Sequence, residues 1–115
     1  MTGDRMRRVD EAMREVLSDA ITSELKDPRV GFVTVTAVET SPDLRHARVY
    51  VQVLGDDAVR RRSLDGLESA RGYLQKRAGA ELRMKNTPTL HFLYDDSTDR
   101  GLRINEILGA QEGPE

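Results

Sequence analysis

Three carboxylates stand close together toward the end of the 115-residue chain, Asp95, Asp96 and Asp99 in the stretch DDSTD. Acidic side chains gathered just after a strand are where a Mg²⁺-dependent phosphohydrolase would place its ligands. At the start of a helix the same residues satisfy the first N–H groups and suit the positive end of the dipole. Neither a phosphate-cradling glycine loop nor a second acidic cluster accompanies them, so capping is the expected role. His46 and His91 both fall in strand-like segments and give an incomplete metal site in a chain without cysteine. Hydrogen-bonded structural histidines are expected there. No serine is singled out as a nucleophile, and the lack of cysteine removes disulfides, thiolate metal sites and thiol nucleophiles together.

Phosphate binding is the other chemistry within reach. The net charge of −2 hides a strong division: residues 60–88 carry eight basic and three acidic side chains, while the segments before and after are acidic. Within this block lies SARGYLQKRAGAEL, Ser69 to Leu82, a helix-like stretch that nevertheless contains Gly72 and Gly79. Each glycine inside a helix costs about 1 kcal/mol relative to alanine. A bend at Ala70–Gly72 would split one long helix in two and expose the N–H groups that open the second piece. Phosphate is the anion that such groups, with Arg71, Lys76, Arg77, Arg83 and Lys85, would attract. On the residues alone, a solvated basic face with Gly72 as a packing position outweighs that reading.

The elements that must position these residues follow from periodicity. Met6, Val9, Met13, Val16 and Ala20 recur at helical spacing, with Leu17, Ile21 and Leu25 widening the stripe, and Pro28 ends the helix in the turn KDPR. GFVTVTAVET and RHARVYVQVLG read as strands around the turn SPD, with Ala47, Val49, Val51 and Val53 on one face. Asp27, Arg29 and Asp43 flank Pro28 and Pro42 and are expected to close their turns by side chain to backbone hydrogen bonds. Leu64, Leu67, Ala70, Leu74, Ala78 and Leu82 form a second helical stripe that Pro88 stops. TLHFLYDD is a third strand and STDRGLRINEIL a short final helix capped by Asp96 or Ser97. The order α-β-β-α-α-β predicts an α+β domain with helices on one face of a three-stranded sheet.

One domain over residues 1–108 with a frayed tail at 109–115 is expected, built on a lean aliphatic core, since there is no Trp and only two Phe. No apolar run reaches the length of a membrane span and no h-region follows the N-terminal charges. A soluble cytoplasmic chain is expected.

The segments RVDEAMREVLSDAITSELKDPRVGFVTVTAVETSPDLRHARVYVQVLG, ARG at Ala70–Gly72 and PTLHFLYDDSTDRGLRINEIL together resemble the ribosome-binding factor A family, from about Arg7 to Leu108. The element order is similar to that of a type II KH domain. The chain departs from the family pattern at NTPTL, Asn86 to Leu90, where an apolar residue followed by Pro-Glu-Leu is usual. The resemblance implies a non-enzymatic, monomeric assembly factor that needs no cofactor. It would bind free 30S subunits and 16S rRNA and assist late rRNA maturation, including that of the 5′ end. It also implies that Ala-x-Gly makes a kink where other KH domains carry a G-x-x-G clamp. Ala70 and Gly72 would then form the kink, and Arg71, Gly72, Lys76, Arg77, Arg83 and Lys85 the RNA-binding surface. Two other classes stay open: a small phosphohydrolase using Asp95, Asp96 and Asp99, and a KH-like module that joins proteins.

Overall fold

The computed structural model of the chain describes residues 2–95. Helix α1 (Thr2–Ser23) leads into strands β1 (Val33–Thr40) and β2 (His46–Val53). Helices α2 (Asp57–Ser69) and α3 (Arg71–Leu82) follow, and then strand β3 (Thr89–Tyr94). The sheet order is β1-β2-β3, antiparallel between β1 and β2 and parallel between β2 and β3. A tight turn joins the antiparallel pair, whereas the parallel pair needs a crossover, which α2 and α3 supply. The result is the α+β, type II KH-like arrangement expected from the element order. The final helix expected at residues 97–108 lies outside the described residues. Among those described, no helix is long and apolar enough to cross a membrane.

The core lies between the sheet and the helices. Met13, Leu17, Ala20 and Ile21 from α1 meet Val35, Val38, Ala47, Val49, Val51 and Val53 from the hairpin, together with Leu67, Leu74, Ala78, Leu90 and Phe92. Burying each of the larger aliphatic side chains is worth roughly 1.5–3 kcal/mol, and Phe92 is the one buried aromatic among them. Strand β2 alternates as its sequence predicts. Strand β1 does not: a register shift between Val35 and Ala37 places Val35 and Val38, three residues apart, on the buried side. Thr36, inside the bulge, donates to a carboxylate oxygen of Asp95, and Asp95 N–H donates to Val51 O. Asp95 is 2% exposed and ties the end of β3 across the sheet.

Two turns close through their own side chains, as expected. Asp43 accepts from the Ser41 hydroxyl at 2.6 Å and the Arg45 N–H at 3.0 Å. Asp27 accepts the Arg29 N–H at 2.9 Å and also grips the Arg29 guanidinium, whose Nη2 lies 2.6 Å from Oδ2. That guanidinium reaches on to Ser69 Oγ at 3.0 Å, while the buried Ser63 hydroxyl donates to Arg29 O and accepts from Gly31 N–H. The segment after α1 is thereby stapled to α2. A Cβ on Gly66 would fall 2.6 Å from Val30 Cγ2, so only glycine lets this segment lie so close to the helix.

The long helical stripe breaks at Ala70. Its φ of −92° and ψ of 6° fall in the bridge region, its N–H is shared between Gly66 O and Leu67 O, and its carbonyl accepts the Leu74 N–H. One residue thus closes α2 and opens α3, with no side chain capping the second helix. The bend lies inside the expected Ala70–Gly72 stretch, and its hinge is the alanine. Gly72 has an ordinary helical position where an added Cβ would meet nothing within 4 Å, which removes the packing role considered for it. At Gly79 the reverse holds: a Cβ there would run into Thr87 Oγ1, so this glycine admits the loop before β3.

These contacts give two predictions. Gly72→Ala should raise stability by about 0.5–1 kcal/mol through helix propensity and a less flexible unfolded chain. Gly66→Ala should lower it by about 1–3 kcal/mol through overpacking, and denaturant melts of the two variants will show opposite signs. The Arg29 side chain, then its N–H, holds the Asp27 carboxyl at about 2, below its ordinary 3.8. Its contribution is therefore complete above about pH 4 and lost as pH falls toward 2. Melts across that window should show a steeper acid loss for the parent than for Asp27→Asn, and superimposable profiles would remove the role assigned to this carboxylate.

Candidate nucleic-acid interface

The cations of the basic block divide into those that already hold a carboxylate and those that do not. Arg71 pairs with Glu68 one helical turn back across the break. Arg77 reaches Glu24 at 3.1 Å, Glu81 at 3.1 Å and Asp19 at 3.8 Å, and so clamps α3 to α1. Tyr73 donates its hydroxyl to Glu24 in the same cluster. The Tyr73 hydroxyl, followed by the Arg77 guanidinium, holds the Glu24 carboxyl below the usual carboxylate range, and Glu24 in turn raises the Tyr73 phenol. Arg60 lies 3.8 Å from the centre of the Tyr94 ring and pairs with Asp57 at 3.2 Å.

Lys76, Arg83 and Lys85 are exposed and form no ion pair with another described residue. Gly72, Lys76 and Ala80 recur at spacings of four, which puts them on one exposed stripe of α3, and the exposed Arg83 follows at its cap. Of the six residues expected to meet RNA, four therefore present an open surface: Gly72 and Lys76 on α3, Arg83 at its C-cap and Lys85 just beyond. Arg71 and Arg77 are spent on carboxylates. The local pairs are legible in sequence, since Glu68 precedes Arg71 by three residues and Glu81 follows Arg77 by four, whereas the hold of Arg77 on Glu24 and Asp19 comes only through the fold.

Sequence reasoning missed three other cations. Arg61 and Arg62 are exposed on α2, and the Arg60–Arg62 run was their signal. Arg45, in the turn between β1 and β2, comes beside the end of α3 only through the fold. An open groove of about 870 Å³ runs between residues 43–46 and 82–89, and Arg45, Arg83 and Lys85 stand on its two sides.

On the sheet face away from the helices, His46 Nδ1 and His91 Nε2 are 3.0 Å apart, so each histidine is the other's hydrogen-bond partner. Arg48 pairs with Glu39 beside them at 3.2 Å. Among the described residues, no group of three or more His, Cys, Asp or Glu could hold a metal ion. Of the acidic cluster, Asp95 is engaged with Thr36, while Asp96 and Asp99 lie outside the described residues.

Residues 5–108 match the sequence profile of the family described as Ribosome-binding factor A. A ribosome-binding factor A from Halothermothrix orenii is 48% identical over 108 residues, covering 94% of this chain and 88% of that protein. One from Geobacter metallireducens is 43% identical over 112 residues, covering 95% of each. Among solved structures, the crystal structure of ribosome-binding factor A from Thermus thermophilus aligns with a TM-score of 0.69 at 28% identity, over 77% of this chain and 94% of that one. A homology model of Thermus thermophilus ribosome-binding factor A, fitted into the cryo-EM map of a 30S–RbfA complex, aligns with a TM-score of 0.62 at 30% identity, over 73% of this chain and 88% of that one. In sequence along nearly its whole length, and in fold, this chain belongs to the ribosome-binding factor A family.

Proposed function

We propose that this protein is a cytoplasmic, monomeric assembly factor that binds the free 30S subunit through 16S rRNA and assists its late maturation, including processing of the 5′ end. The single observation that carries the reading is the α2–α3 pair, whose break at Ala70 opens an uncapped helix beside an unobstructed Gly72, with Lys76 following one turn later. N–H groups at a helix start favour a phosphate, and a glycine there leaves room for the sugar-phosphate backbone. Such contacts fix position and register and carry no base sequence. The cryo-EM map of a 30S–RbfA complex, into which a homology model of a structural neighbour was fitted, supports the same partner.

The mechanism is binding energy applied to alternative rRNA conformations. A domain that contacts one conformer better than another shifts the population toward it by the difference in affinity, and needs no cofactor to do so. Arg77 serves this indirectly, since its pairing with Glu24 and Asp19 fixes the direction of α3 against α1.

Cosedimentation with purified free 30S subunits across a salt series tests the proposal. Lys76→Gln should weaken association and flatten the log-log salt dependence by about 0.7–0.9, the amount expected when one phosphate is no longer neutralised. Gly72→Ala should bind less well although the free domain is more stable, because the added methyl meets the ligand alone. If both variants cosediment like the parent, the kinked face is not the RNA surface. A precursor 16S rRNA that matures at the same rate with and without the protein would reject the processing role.

A further inference from the structure

The groove at the far end of α3 has features that the kink does not explain. Among the described residues two that are not glycine have left-handed backbones, Leu44 with φ 61° and Arg83 with φ 54°, and both line this groove, one in each wall. Arg83 sits where a helix usually ends in glycine: its N–H bonds to Ala80 O and the Met84 N–H to Gly79 O, the double closure that glycine makes at least cost. A side chain kept in such a position gives up stability, and such residues gather at ligand clamps. Three cations converge from separate segments, Arg45 from the β1–β2 turn and Arg83 and Lys85 from the loop before β3, and none has an ion-pair partner among the described residues. The carboxylate in the groove, Asp43, accepts from the Ser41 hydroxyl and the Arg45 N–H. These bonds, with the nearby charges of Arg45 and His46, hold it below the usual carboxylate range without a direct ion pair to Arg45. The Arg45 carbonyl accepts the Thr89 N–H at 2.8 Å, which locks the two walls together.

We propose that this groove is a second phosphate-binding site, in which Arg45, Arg83 and Lys85 hold the backbone of a single RNA strand. The inference rests on the RNA-binding reading and extends it. The 12 residues of α3 separate the groove from the break by about 18 Å, so the two sites grip the strand at separate points. Between them the stripe of Gly72, Lys76 and Ala80 offers a low track with one cation midway. A strand held at both ends of one rigid helix is fixed in direction as well as in place, which a single phosphate site cannot achieve.

Arg83→Gly separates stability from binding. The full-length variant should melt several degrees higher, because glycine relieves the left-handed backbone, and should bind a fluorescein-labelled single-stranded RNA of mixed sequence several-fold more weakly. Combining it with Arg45→Gln and Lys85→Gln should flatten the log-log salt slope by about 2, for three phosphates no longer neutralised at roughly 0.7 each. Unchanged affinity and slope in the combined variant overturns the groove. If Lys76→Gln and Gly72→Ala lose binding while the groove variants keep it, the RNA reading stands and this inference falls. If the parent binds neither the oligonucleotide nor free 30S subunits, the RNA reading itself fails and this inference falls with it. A pyrophosphate titration followed by amide shifts distinguishes the ligand's source. Shifts at Leu44, Arg45, Arg83 and Met84 with pyrophosphate but not with RNA would overturn the strand assignment, and shifts with RNA that disappear in the combined variant support it.

Discussion

The fold turns on one alanine. Ala70 gives its N–H to the end of α2 and its carbonyl to the start of α3, so two helices meet with no loop between them and the angle of their junction is set by one ψ value. Such a joint has little stiffness of its own and takes its direction from what grips either side. On the α2 side, Ser63 and Ser69 hold the segment that follows α1, with Val30 seated against Gly66. On the α3 side, Arg77 and Tyr73 hold Glu24 at the end of α1. Both arms are thus referred to the same short stretch, residues 24–31, so the surface around the break is positioned by a part of the chain that lies outside the basic block.

This arrangement separates cations that orient from cations that remain open. An arginine already facing two carboxylates would have to give them up to reach a phosphate, and the electrostatic gain would largely cancel. Arg77, in the middle of the basic block, therefore belongs to the scaffold, while Lys76 one residue earlier faces solvent. A charge count along the chain cannot distinguish the two, because helical geometry turns neighbouring residues to different faces.

Much of the architecture is legible from local chemistry. The α1 stripe, the alternation of β2 and the turn closures by Asp27 and Asp43 depend on neighbours within a few residues and appear as expected. The bend falls in the Ala70–Gly72 stretch, although its hinge is the residue with a side chain and not the glycine. What stayed hidden depends on register. The bulge in β1 carries Val38 inward in place of Ala37, and no alternation rule applied to VTVTAVET reveals it. His46 and His91 become partners only through the parallel pairing of β2 with β3, and Arg45 meets the end of α3 through the same pairing. The helical block was accordingly easier to assign than the groove, whose walls are brought together from parts of the chain some forty residues apart.

The parallel pairing of β2 with β3 also governs the order in which the domain completes itself during synthesis. The β1–β2 hairpin is finished in sequence by Val53, but the second edge of β2 stays bare until Thr89–Tyr94 has been made, after both crossover helices. Until then the Ala47, Val49, Val51 and Val53 face lacks Leu90 and Phe92. Long-range parallel pairing is slow because its loop must close before the contacts reward it, and an unpaired strand edge invites association with other chains. Arg48, near the start of β2 and opposite both Glu39 and His91 in the finished sheet, places a charge on that waiting edge and lowers its tendency to template a neighbouring nascent chain.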